Sequence, residues 1–244
     1  MRRRHWAFRA LSAFCAIAFC LGLSGCWSNQ ELNNLIFVMG VGVDISASNP
    51  SDYYVTYQAP EMRALKSGST DATTYRTVFS NVIGLTDAYL ESMKQASRAL
   101  FLKNNQVIVI GKAQAERGIE QIIDYFLRNY NSRISAKLVI SETTAEELLG
   151  ASSGLEALPA VKLQKMMDSQ QNEGASGVCT LYDYARALVS ETTMPTIPLM
   201  GIESANGNER ITFTSTAVFE NNRLIAVMGP SETKIIQLLR PQSR

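Results

Sequence analysis

Leu23-Ser24-Gly25-Cys26 is the one spacing in this chain suited to a covalent modification. An aliphatic residue three positions before a cysteine, with small residues between, leaves an uncrowded, extended backbone beside the thiol. A lipid-transferring enzyme and a signal peptidase both need that access. The chemistry would be a diacylglyceryl thioether on Cys26 and, after cleavage, an N-acyl chain on its new amino group. Each buried methylene contributes about 0.8 kcal/mol, so several acyl chains anchor a protein stably. The preceding residues fit: Arg2, Arg3, Arg4 and Arg9 are basic, and Ala10 to Leu23 are apolar or small and too few to span a bilayer comfortably. Residues 1–25 therefore read as a lipoprotein signal peptide, and Cys26 as the first residue of a lipid-anchored chain.

Other reactive groups are scarce. The single histidine, His5, lies in the signal, so the expected mature chain has none. Ser-His-Asp and Cys-His catalysis are excluded, as are zinc sites that use imidazole. Cys15 and Cys20 leave with the signal and Cys26 takes lipid, so Cys179 stands alone, without a disulfide partner or a four-thiolate metal site. Beside Val178 and Leu181 it reads as a small buried side chain. Ser231-Glu232-Thr233-Lys234 has the Ser-x-x-Lys spacing of penicillin-recognising enzymes but lacks their Ser-Asp-Asn and Lys-Thr-Gly partners. Gly40-Val41-Gly42 opens like a dinucleotide loop, yet no third glycine follows and strand character continues to Ile45. Asp44, Glu61 and Asp71 read as solvated carboxylates outside any calcium-loop pattern. No catalytic residue, cofactor site or metal site is predicted. Without residues 1–25 the net charge is −3, which disfavours nucleic acid as a partner.

The elements that would position any site are α/β in pattern. Leu35–Ile45 is an apolar run, and Tyr53–Ala59 follows a turn-rich stretch with Asn49-Pro50, which predicts two paired strands. Glu61–Thr74 is polar and reads as an exposed loop. Leu85 to Leu100 and Ala115 to Tyr130 repeat apolar residues at helical spacing, bracketing a strand over Gln106–Ile110. With a further strand over Ile134–Ile140 this makes a strand-helix-strand unit, right-handed if the strands are parallel. Thr144 with Glu147 and Thr180 with Asp183 resemble capping boxes. Alternation from Ile211 to Phe219 reverses through Asn221-Asn222 into Leu224 to Met228, a hairpin, and Ser231–Leu239 begins a helix. The fold class is thus α/β (mixed α+β), a mixed sheet with packed amphipathic helices.

Several of these pieces occur together in a familiar order. Cys26-Trp27 precedes Glu31-Leu32 and the strand Phe37 to Asp44. Val107-Ile108-Val109-Ile110-Gly111 comes next, then Gly118-Ile119 and Asp124-Tyr125-Phe126-Leu127-Arg128. Pro198, Ala217-Val218-Phe219, Arg223-Leu224 and Glu232-Thr233 complete the series. The order resembles the Ger(x)C family, the C subunits of GerA-type germinant receptors of spore-forming bacteria.

The resemblance implies a non-catalytic lipoprotein on the outer face of the spore inner membrane, acting with a membrane-embedded A subunit and a transporter-like B subunit. The complex would sense a small-molecule nutrient, with direct binding by the C subunit left open. It assigns Cys26 as the lipid site and no ligand or cofactor residue. By the same comparison residues 26–205 form the N-terminal domain, with a division near residue 150 left open, and 206–244 start a second α/β domain that is cut short. Strands beyond residue 244 would then be needed to cover Phe213, Ala217, Phe219, Leu224 and Met228, leaving 206–244 loosely held. Two other readings of the residues are a free-standing solute-binding lipoprotein and a lipid-anchored envelope hydrolase using carboxylates.

Overall fold

Strands buried on both faces need unbroken apolar runs rather than alternation, and three such runs make the centre of the sheet. They are Gly40–Ile45 (β2), Val107–Gly111 (β6) and Lys137–Ser141 (β7). All three run parallel, with Gly40 opposite Val107 and Val107 opposite Lys137. Thr196–Ala205 (β8) continues the parallel set, Ile140 facing Leu199. Antiparallel strands flank the centre: Tyr53–Pro60 (β3) and Tyr75–Val82 (β4) on one side, Asn208–Glu220 (β9) and Arg223–Met228 (β10) on the other. The order in this eight-stranded mixed sheet is β10-β9-β8-β7-β6-β2-β3-β4. Leu35–Phe37 (β1) and Ala99–Phe101 (β5) form a separate two-stranded ribbon.

The computed structural model describes residues 35–60, 75–96, 98–151, 158–172, 178–190, 192–205 and 208–239, with isolated positions elsewhere. Leu23 to Cys26, Trp27, Glu31, Leu32 and the predicted loop Glu61–Thr74 lie outside the described residues. The chain divides into two units, Met1–Leu35 and Ile36–Arg244, and the eight-stranded sheet belongs to the second.

Helices cover both faces. Leu85–Ala96 (α1), Lys112–Arg117 (α2) and Glu120–Arg128 (α3) follow in chain order, then Ala145–Gly150 (α4), Pro159–Asn172 (α5), Leu181–Leu188 (α6) and Pro230–Leu239 (α7). One core joins Val41, Val43, Ile108, Ile110, Leu138 and Ile140 to side chains of α1, α2, α3 and α6. The alternate residues Val107, Val109 and Val139 join α4 and α5 on the opposite face. Two-residue periodicity thus builds a three-layer α/β fold.

Several predicted elements divide where the backbone changes partner. The run Leu35–Ile45 breaks at Val38-Met39, because Val38 N–H donates to Phe101 O (3.1 Å) and Met39 N–H to Gln58 O (2.8 Å), one partner in each sheet. The helix predicted from Leu85 to Leu100 stops at Ala96, and Ala99 and Leu100 pair in β5. The helix predicted from Ala115 to Tyr130 is two helices. Gly118 sits at φ 132°, a conformation few other residues tolerate, and the next N–H, of Ile119, donates to Asn222 O at 2.8 Å. Ile134, placed in a strand by its apolarity, is 54% exposed and precedes β7. Strand β4 was not foreseen.

The C-terminal hairpin follows the predicted alternation. Asn221 and Asn222 have φ of 49° and 61°, as the two centre positions of a type I′ turn require. On either side of the expected boundary near residue 205, β8 and β9 pair antiparallel from Thr196↔Val218 to Ala205↔Asn208. Ala217 and Phe219 are fully buried, and Phe219 packs edge-on against Tyr184 at 5.8 Å. Phe219 is thus covered from α6, while Phe213, Leu224 and Met228 stay half-buried. Alternation shows that a face is apolar, not which element meets it.

Candidate functional site

Asp44, expected on the surface, is 6% exposed at the carboxyl end of β2. Its Oδ1 accepts the N–H of Ala145 at 2.7 Å and its Oδ2 that of Glu146 at 3.0 Å, so it caps the first turn of α4 from a remote strand. Thr144 Oγ1 caps the same turn by accepting Glu147 N–H at 3.1 Å. Burial raises the Asp44 carboxyl from 3.8 to about 6, against the lowering effect of the two backbone donors. Beside it, Tyr54 donates to Glu146 at 3.2 Å and is pushed up to about 12, mainly by burial. A carboxyl near 6 has the proton affinity of a general base. Here both oxygens face backbone donors and no nucleophile is in place, so the group holds α4 on the sheet.

The glycines of β2, which lack the spacing of a dinucleotide loop, serve the same packing. Gly40 and Gly42 lie inside β2, where a Cβ on Gly40 would stand 2.8 Å from Ala160 Cβ and one on Gly42 3.1 Å from Ala145 Cβ. Their bare backbone lets α4 and α5 approach the sheet. In α7, Ser231 and Lys234 are exposed, while Thr233 is buried and its hydroxyl bonds Thr216 Oγ1 at 3.1 Å. Cys179 is 5% exposed, in keeping with the packing role expected of it. Glu61 and Asp71 fall outside the described residues. Among the described residues, no group of three or more His, Cys, Asp or Glu could hold a metal ion.

A cleft of ligand-sized dimensions lies between α1 and α3 and measures about 600 Å³. Its walls are Tyr53, Leu85, Tyr89 and Tyr125, and its polar groups are Thr86, Asp87, Gln121, Asp124, Arg128 and Asn129. Arg128 Nε bonds Asp124 Oδ1 at 2.6 Å, and Tyr53 donates to Gln121 Oε1 at 2.7 Å. Tyr125 Oη is buried, and burial pushes it up to about 12 against the lowering effect of the neighbouring Asn129 side chain. Aromatic walls with both charge signs suit a small polar molecule, and no group there is placed to attack one. Helix periodicity marks the buried sides of α1 and α3, but nothing in it pairs two helices so far apart in the chain. This cleft was therefore missed from the sequence.

Residues 28–202 match the family model described as the spore germination protein N-terminal domain. The chain belongs to the Ger(x)C family of spore germination proteins. Its relatives include spore germination protein KC of Bacillus subtilis, 24% identical over 78% of this chain and 48% of the relative. Spore germination protein B3 of the same organism is 20% identical over 93% of this chain and 61% of the relative. The chain thus spans about half to three fifths of the length of these relatives. No solved structure matches it. Within the matched region lie Asp44, the glycines of β2 and the whole α1–α3 cleft.

Proposed function

We propose that this protein is a non-catalytic, lipid-anchored C subunit of a nutrient germinant receptor, held through Cys26 on the outer face of the spore inner membrane and acting with A and B subunits. The observation that carries this reading is the family match over residues 28–202, joined to Leu23-Ser24-Gly25-Cys26 immediately before it. A histidine-free mature chain whose perturbed carboxyl is engaged by backbone supports a binding role over a hydrolytic one. The test is twofold. Mass spectrometry of the N-terminal peptide should find a diacylglyceryl-modified Cys26, and a tagged chain should recover the A and B subunits from spore membranes in mild detergent. An unmodified Cys26, or a Cys26→Ala chain that restores germination fully, refutes the need for anchoring; failure to recover the partners refutes the receptor role.

The α1–α3 cleft favours a second reading, direct binding of a small polar solute. Saturable heat release on titrating nutrients into the purified chain, lost in Arg128→Ala, would support it.

A further inference from the structure

Starts of parallel strands share one edge of a sheet, and here that edge is Gly40, Val107 and Lys137 in line. The segments leading into it are Val38-Met39, Leu102–Gln106 and Asn129–Ala136. Gln106 N–H donates to Met39 O at 2.9 Å and Lys137 N–H to Gln106 O at 2.9 Å, which ties the three together. Three large side chains stand out there: Tyr130 is 83% exposed, Ile134 54% and Tyr182 53%. Two contacts hold them there: Tyr182 N–H donates to Ile134 O at 3.1 Å, and Lys103 Nζ sits 5.8 Å from the centroid of the Tyr130 ring. Arg133 adds a second cation, its Nη1 on Gln106 Oε1 at 2.9 Å. The nearby acids are engaged: Asp183 in the Thr180 capping box, Asp168 with Lys137.

The opposite edge has another character. Asp44, Asp52, Glu142, Glu146 and Glu147 gather where the parallel strands end, and of the cations there Arg117 is turned onto Pro50 O and the Tyr53 ring. Lys112 adds one further positive charge at that edge.

We infer that the edge carrying Tyr130, Ile134, Tyr182, Lys103 and Arg133 lies against the lipid surface, taking anionic headgroups. The inference rests on the proposed anchoring of Cys26. Nine residues lie between Cys26 and Ile36, a reach of at most about 35 Å, and the chain enters the fold at this edge through β1 and Val38-Met39. Tyrosines with an apolar ring and a polar tip settle at headgroup depth, and adjacent Lys and Arg favour anionic lipid. The acid-rich opposite edge would be repelled from the same surface. Among the described residues, a lipid plane is thus matched in polarity, charge and reach at this edge.

Hydrogen exchange on the full lipidated chain decides the matter, comparing phosphatidylglycerol vesicles, phosphatidylcholine vesicles and detergent. Peptides covering 129–136 and 180–184 should exchange at least threefold more slowly on phosphatidylglycerol than in detergent, while 46–52 should not change. Lys103→Glu with Arg133→Glu should remove most of that protection and leave exchange in β6 and β7 as it was. Equal exchange in both settings, or protection of 46–52 instead, overturns the inference. So does protection that appears only in spore membranes containing other receptor subunits, which would assign the patch to a protein. Mass analysis of the same samples separates the two claims: lipid absent from Cys26 defeats the anchoring, whereas lipid present without protection defeats this orientation alone.

Discussion

Asp44 and Gly111 approach so closely that a Cβ on Gly111 would stand 2.1 Å from Asp44 Oδ1. The glycine ends β6, and its missing side chain is the space in which the carboxylate reaches the first turn of α4. Gly111→Ala should push Asp44 off Ala145 and Glu146, losing two charge-assisted hydrogen bonds at a buried position. The expected loss is about 2–4 kcal/mol, read from urea denaturation of the mature chain. An unchanged midpoint would show that Asp44 does not hold α4.

The same carboxyl makes stability depend on pH. Its folded-state pKa of about 6 lies above the ordinary 3.8, chiefly through burial. The folded chain therefore binds this proton more tightly than the unfolded chain. The stabilising contribution is fully present below about pH 4 and is lost as pH rises through 6, amounting to about 3 kcal/mol for a shift of roughly two units. Denaturation at pH 4, 5, 6 and 7 should show this decline in the wild type relative to Asp44→Asn. Parallel profiles for the two chains would contradict it.

Gln58 shows how much of this architecture could be read beforehand. The central strands, the C-terminal hairpin and both threonine caps follow from local periodicity and turn chemistry, which neighbouring residues carry in full, whereas the parallel pairing of β2 with β6 and of β7 with β8 does not. The roles of Asp44 and Gln58 depend on partners about a hundred positions away, and a strand-borne polar residue looks the same whether it meets water or a helix end. Gln58 is fully buried. Its Nε2 donates to Leu149 O at 2.6 Å and its Oε1 accepts Ala160 N–H at 2.9 Å, so one amide joins the end of α4 to the start of α5. The α1–α3 cleft was hidden for the same reason.

Gln58→Leu should therefore strand a buried carbonyl and a buried N–H together, costing about 2–4 kcal/mol. Amide exchange should quicken in 145–150 and 159–163 before it does in β6 or β7. Uniform quickening throughout would mean that Gln58 supports the whole sheet rather than the junction of two helices.

In the cleft, Tyr125 carries a buried hydroxyl whose polar neighbour is the Asn129 side chain. Deleting it removes a desolvated group held by that one weak contact, so Tyr125→Phe should leave stability within about 1 kcal/mol or raise it. If a polar solute occupies the cleft, the same variant should weaken its binding severalfold, measured by calorimetry. A stability loss above that range would place the hydroxyl in the fold instead.

The C-terminal hairpin gives the sharpest contrast between pattern and packing. Its alternation exposes an apolar face that the family comparison leaves to strands beyond residue 244, and on that basis the segment from 206 would be cut early by protease. Part of that face is met by α6: Phe219 meets Tyr184, Tyr184 Oη donates to Asn222 Oδ1 at 3.2 Å, and Asn222 O accepts Ile119 N–H. Those contacts fasten the turn to α6 and to the start of α3. Residues 208–228 should thus resist trypsin as long as β6 and β7 do, even though Arg210 and Arg223 offer cleavage sites. Phe219→Ala should cost about 3–5 kcal/mol and expose both arginines. Early cleavage at Arg223 in the wild-type chain would show that the hairpin is held less firmly than its packing requires.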